Sequence, residues 1–306
     1  MKKSITYSGI VLCISYIFAG ILYITGVLNP STQFIISSLY MFMPLLSAFI
    51  FDRLVYKNNP VDSWGLKFKF SLSLFLPLLF IPAFVVLTLV VNTLFPGTEL
   101  VLNHIEASKN MMTPEQFEAA RPQLESFSPA LFYLLQIVSG IIAGYTINAF
   151  FAFGEEVGWR GSLLKTFEGK PFWQACLFSG AVWGIWHAPL VLLGHNYPEH
   201  PQIGVAMMVI WCILLTPIFI YVRVKSKSVF VASFLHGFLN AIAGFSLLLI
   251  VGGNDLTKGV TGAAGMIALL IINIALLFFD QYISKDRIMT SAISLNNFIE
   301  DAATQL

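Results

Sequence analysis

Charge is what this chain has least of: 11% of its 306 residues are Asp, Glu, Lys or Arg, against about 25% in soluble domains. Apolar runs of about 20 residues recur along the whole length, which leaves no stretch for a soluble domain of ordinary size. The fold class that follows is all-α: a polytopic integral membrane helical bundle of about eight spans in a lipid bilayer. A net charge of +1 provides no basic face for nucleic acid. Cysteine is almost as scarce. Cys13, Cys176 and Cys212 lie in apolar segments without paired spacing, so they read as small buried hydrophobes and argue against both a disulfide framework and a thiolate metal site. HExxH, internal repeats and low-complexity tracts are all absent.

Lys2 and Lys3 precede a first apolar run, Gly9 to Leu28, which no small-residue cleavage pattern follows, so it reads as an uncleaved span. A turn at Asn29-Pro30-Ser31 leads to a second run, Phe34 to Phe51, closed by Asp52, Arg53 and Lys57. The linker 57–69, with Lys67, Lys69 and the interface anchor Trp64, is expected in the cytoplasm. A third span, 70–95, should bend at Pro77 and Pro82. Residues 96–128 are the longest polar insertion. Their helix start at Thr113-Pro114-Glu115-Gln116 predicts a short amphipathic helix on the non-cytoplasmic surface.

Ser128-Pro129 caps a fourth helix, with Gly140 and Gly144 as a close-packing face, that runs into Glu155. A fifth span follows from Trp173 to Leu193, a sixth from Ile203 to Tyr221 and a seventh from Val229 to Val251; after a flexible loop at 252–262, an eighth runs from Ala263 to Tyr282. With eight spans every strongly basic connection falls on one side, which puts both termini in the cytoplasm. A bacterial plasma membrane is the expected location. The chain divides into a three-span region with its loop (1–128), a core (129–250), and a last span with its tail (251–306).

Against this background a few polar side chains stand out. Glu155 and Glu156 end an apolar run, where a charge is costly unless it has a partner or a task. Glu156 and Arg160 are four apart on one helical face, which predicts a charge-assisted ion pair. Glu155 points about 100° away and is left for chemistry or a ligand. The plainer reading, in which both acids mark the membrane interface, stands beside this one. His236 and Asn240 share one face of the seventh span about 10 Å from its start, with Ala232 and Gly244 as small neighbours. His187 lies roughly 20 Å along a straight fifth span; an interfacial first turn, tilt, or a bend at Pro189 would each bring it level with His236. His104, His195 and His200 fall in loops and are expected to be solvated. Trp159, Trp183 and Trp186 read as packing before cavity lining.

Three motifs carry a resemblance. Glu155-Glu156-Val157-Gly158-Trp159-Arg160 matches EExxxR, Trp183-Gly184-Ile185-Trp186-His187 is similar to FxxxH with tryptophan for phenylalanine, and His236-Gly237-Phe238-Leu239-Asn240 matches HxxxN. In this order over about 130–245 the chain resembles the CPBP intramembrane proteases, the group of type II CAAX prenyl endopeptidases and bacteriocin-immunity (Abi) proteins. The resemblance implies an endopeptidase with Glu155 as general base for water, His187 assisting it, His236 and Asn240 as oxyanion donors, and Glu156 with Arg160 in support. It also implies a hydrophobic peptide or protein substrate, prenylated in part of the family. Zinc on a His-His-Glu set is open but not favoured, because Asn240 suits an oxyanion better than a metal. The alternatives are a bacteriocin-immunity or peptide-maturation protease and, outside enzymes, an ion- or peptide-coupled transporter.

Overall fold

A computed structural model of the chain describes residues 1–25, 33–57, 59, 64–68 and 70–295. The expected turn at Asn29-Pro30-Ser31 and Lys69 lie outside these residues. Among the described residues the regular structure is helical apart from one short antiparallel ribbon. In chain order the helices are α1 (Lys2–Thr25), α2 (Gln33–Tyr40), α3 (Met43–Phe49), α4 (Leu76–Asn92), α5 (His104–Lys109), α6 (Pro114–Ser126), α7 (Pro129–Tyr145), α8 (Ile147–Glu156), α9 (Phe172–Trp186), α10 (Ala188–Leu192), α11 (Pro201–Ser226), α12 (Val229–Leu248) and α13 (Ala263–Phe278). Strands β1 (Thr98–Leu100) and β2 (Ile250–Gly252) pair antiparallel, a feature the sequence does not advertise.

Among the described residues, six of the expected membrane segments are long and apolar enough to cross a bilayer, the second of them running through α2, α3 and the turn between; α6 with α7 makes a seventh only as a pair bent by 110°. Large apolar side chains such as Ile24, Leu79, Phe150 and Ile274 face outward, as lipid contact requires. The protein is an integral membrane protein. The fourth and fifth segments, which carry Glu155 and His187, are interrupted. Thr146 leaves helical geometry between α7 and α8, and His187 separates α9 from α10.

Helices approach closely where glycine allows it. A Cβ on Gly237 of α12 would lie 2.4 Å from the Gly144 carbonyl oxygen, and one on Gly184 of α9 would lie 2.4 Å from Val209 Cα of α11. Gly237, rather than the expected Gly244, is the contact point of α12, since Gly244 faces open space. Pro77 sits in the first turn of α4, where its missing N–H is harmless, and only Pro82 is interior. The loop 252–262 is fastened rather than loose: Trp211 donates to the Val260 carbonyl at 2.7 Å and the Gly259 N–H donates to Asn92 at 3.0 Å. The glycines there serve turn geometry, with φ of 78°, 68° and 73° at Gly252, Gly253 and Gly259. In the 96–128 insertion, the Thr113–Gln116 capping box opens α6 as its sequence predicts. His104 is buried, not solvated, because its Nε2 meets the Leu124 carbonyl at 2.9 Å and ties α5 to α6. Cys13 faces outward, whereas Cys176 and Cys212 are buried.

Three helices end in a π-helical turn, at Ile50–Val55, Val157–Leu163 and Phe279–Ile283, and each turn buries one charged residue: Asp52, Arg160 and Asp280. Asp52, expected as a span-closing charge, accepts from Trp64 Nε1 at 2.9 Å and from the Ser162 hydroxyl. It therefore pins the first three helices to the turn after Glu156. Asp52→Ala should lower stability by about 2–3 kcal/mol, since it orphans two donors and removes a charged acceptor. Thermal unfolding in detergent reads this, and an unchanged midpoint contradicts the pinning.

Candidate functional site

The site is assembled around Trp183, one turn before the end of α9. His187 and His236 both lie against its indole, at ring-centroid distances of 5.7 and 5.6 Å. Both histidines reach Trp183 although a depth difference is expected between them, and α9 starts against the tail of the chain. The tail covers that start: Ile293 N–H donates to the Lys170 carbonyl at 2.8 Å and Phe172 N–H to the Ser291 carbonyl at 3.1 Å. The start of α9 is thus covered by the tail, and His187 caps the end of this 15-residue helix.

Glu156 and Arg160 pair as their spacing predicts, at 3.0 Å, with both side chains buried. The same Glu156 oxygen meets His236 Nδ1 at 2.8 Å. One carboxylate therefore anchors a guanidinium on its own helix and an imidazole on α12. The Arg160 guanidinium lies between two ring faces, Trp183 and Phe219, each with its centroid 4.3 Å away, a stacking that suits a planar, weakly hydrated cation. Glu156 Oε2 and Arg160 Nε and Nη2 have no hydrogen-bond partner among the described residues. Position is thus held by a single shared oxygen and two aromatic faces.

Glu155 is less free than its position suggests. Its Oε2 accepts from Trp183 Nε1 at 2.9 Å and from Trp159 Nε1 at 3.3 Å. Oε1 accepts no hydrogen bond among the described residues, so one oxygen is fixed and the other remains for a ligand. Indole N–H groups aimed at a buried carboxylate stabilise it and fix its orientation. The three tryptophans are fully buried as packing residues, yet two of them also have this polar task. Trp159 follows Glu155 by four residues, a spacing that could have revealed it; Trp183 offers no such local signal.

His187 is half-buried, with Nδ1 at 2.8 Å from the Trp183 carbonyl. With the proton assigned to Nδ1 for that bond, Nε2 carries the lone pair. His236 Nε2 makes no hydrogen bond among the described residues. Asn240, one turn on, is exposed and likewise unbonded, an orientation open to a ligand. Arg223, which reads in sequence as an interface charge, is buried and donates from Nε to the Arg160 carbonyl at 3.1 Å, bracing the π-helical turn. Nothing in the sequence marks it out from other arginines at helix ends.

Donor atoms that share one ion converge, and those of Glu155, His187 and His236 do not. Among the described residues, the set of three or more His, Cys, Asp or Glu side chains whose ligand atoms all lie within 4.8 Å is Glu199, His200 and Asp255. There the Asp255 oxygens are taken by the N–H groups of Glu199 and His200 at 2.7 and 3.1 Å and by His200 Nδ1 at 2.6 Å, so the cluster caps α11. His200 is therefore paired rather than merely solvated. His195 is half-buried, and burial pushes its imidazole below the ordinary range. The His-His-Glu set as arranged does not fit a shared zinc ion.

Glu156→Ala should destabilise the fold by about 3–5 kcal/mol, because Arg160 would remain buried without its counter-charge. Glu156→Gln, which keeps an oxygen acceptor, should lose less. Unfolding in detergent distinguishes the two, and a loss under about 1 kcal/mol for Glu156→Ala contradicts the anchoring role.

Comparison with known proteins meets this geometry at the same residues. Residues 129–242 match the family described as type II CAAX prenyl endopeptidase Rce1-like. That segment holds Glu155, Glu156, Arg160, His187, His236 and Asn240. The chain is also similar to CAAX prenyl protease 2 of Methanococcus maripaludis, 25% identical over 195 residues, which cover 60% of this chain and 62% of that relative. Over this core, with its three motifs, the chain is similar to the type II CAAX prenyl endopeptidase Rce1-like family.

Proposed function

We propose that the protein is an intramembrane endopeptidase that hydrolyses a peptide bond in a membrane-associated substrate with a water activated by Glu155. The observation that carries this reading is the state of the Glu155 carboxylate: one oxygen held by two indole N–H groups, the other unbonded, beside two histidines with unengaged Nε2 atoms.

The residues divide the work as follows. Glu155 Oε1 takes a proton from water as its oxygen attacks the scissile carbonyl carbon. His187 Nε2 accepts a hydrogen bond from the same water and orients it. As the carbonyl becomes tetrahedral, its oxyanion receives hydrogen bonds from Asn240 Nδ2 and from the His236 ring, whose Nδ1 is held by Glu156. Collapse breaks the C–N bond, and the proton held by Glu155 passes to the leaving amine. A dry site strengthens each of these contacts.

The substrate class is a hydrophobic peptide or protein processed near its C-terminus, in the CAAX manner, and prenylation of that substrate belongs to this proposal. So do a site opening to the cytoplasm, cytoplasmic termini, a bacterial plasma membrane, and the assignment of the reaction to the core 129–250. The even distribution of basic connections on one side supports the orientation. A bacteriocin-immunity or peptide-maturation role would use the same chemistry on another peptide.

Glu155→Gln should lower kcat by about 10²–10⁴-fold. Asn240→Ala should lower it by about 10²–10³-fold without loss of fold, its side chain being exposed. Purified protein assayed on a mixed library of prenylated and unmodified peptides reads both. Turnover retained by Glu155→Gln defeats the assignment; ion flux in liposomes without any cleavage favours transport instead.

A further inference from the structure

Proline at position 189 interrupts the helix at the site, and helices outside the matched segment 129–242 brace the interruption. In a continuous helix the N–H of residue 189 would bond the Ile185 carbonyl, but Pro189 has no N–H. The ladder breaks there: His187 N–H turns back to the Gly184 carbonyl at 3.1 Å, and Val191 N–H takes the His187 carbonyl at 3.0 Å. The Ile185 carbonyl keeps one backbone N–H at the helix cap, and side chains of other helices add further donors at the break. Tyr16 of α1 donates its hydroxyl to the Ile185 carbonyl at 2.6 Å, and Tyr40 of α2 donates to the Trp186 carbonyl at 2.8 Å. The Trp186 indole N–H donates in turn to Ser15 Oγ of α1 at 2.8 Å.

Two ring contacts extend this grip to the histidine. Tyr40 packs on Trp186 with centroids 4.5 Å apart, and Trp186 meets His187 edge-on at 4.7 Å. Every side chain that hydrogen-bonds residues 185–186 from outside their own helix comes, among the described residues, from α1 or α2. We infer that Tyr16 and Tyr40 are positioning residues that hold the helix break before His187, and with it the His187 ring, in the geometry the reaction uses. The first two helices are then part of the reaction centre. The kinetic part of this inference rests on the proposed peptidase reading; the structural part does not.

The test uses the full chain carrying Tyr16→Phe, Tyr40→Phe, and both. Each change removes one hydroxyl and keeps the ring, and the single variants serve if the double fails to fold. Two readouts are taken: kcat and KM on the peptide that the wild type cleaves, and the rate at which diethyl pyrocarbonate modifies His187, followed by peptide mass spectrometry with His236 as internal reference. In the double variant, kcat should fall about tenfold or more, on the scale that small misplacements of reacting groups cost, with KM within about twofold. His187 should be modified several-fold faster relative to His236. An unchanged His187 rate, or unchanged kcat in an active enzyme, overturns the inference. If the wild type cleaves nothing, the peptidase reading fails while the His187 rate still decides whether the tyrosines hold the ring.

Discussion

The contact on which the centre depends is the one between Glu156 and Arg160, buried where an unpaired charge costs several kcal/mol. Its value lies in what it fixes rather than in net stability. The acid oxygen that holds Arg160 also holds His236, so the positions of α8 and α12 are set by one atom. The guanidinium, wedged between Trp183 and Phe219, sets α9 and α11 in the same way. Four helices meet on one ion pair. Glu155, the next residue along, inherits a fixed direction from that anchor and receives its own two indole donors.

Around that centre the chain uses irregular helix where regular helix would point the wrong groups at lipid. The π-helical turn after Glu156 carries Arg160, the break at Thr146 separates α7 from α8, and the break at His187 ends α9. Departures of this kind leave polar backbone groups to be satisfied by neighbours. Arg223 meets the Arg160 carbonyl, and the tyrosines of α1 and α2 meet those of residues 185 and 186. Asp52 holds Ser162 and Trp64 in the same layer. The helices that precede the matched core thus supply much of what keeps its irregular segments in place.

How much of this was legible in the sequence divides by distance along the chain. The i,i+4 pair of Glu156 and Arg160 and the capping box at Thr113 are local patterns, and both appear as their spacing predicts. Membrane class followed from apolar run length alone. The second partner of Glu156, the donors to Glu155, the burial of Asp52 and Arg223, and the role of Tyr40 all depend on contacts between residues far apart in sequence. No periodicity encodes these. His104 shows the same limit: a loop histidine looks solvated until a carbonyl from the following helix is found beside it. Pro189 was visible as a bend, but the hydroxyls that compensate for it were not.

The central claim is that water, activated by a carboxylate, cleaves a peptide bond inside this protein. The most direct measurement is mass spectrometry of the products of a single turnover run in heavy-oxygen water with hydroxylamine present. The account predicts one heavy oxygen in the new C-terminal carboxylate of the N-terminal product, no heavy oxygen in Glu155, and no hydroxamate. Label in Glu155, a trapped acyl group, or no product from folded protein contradicts it.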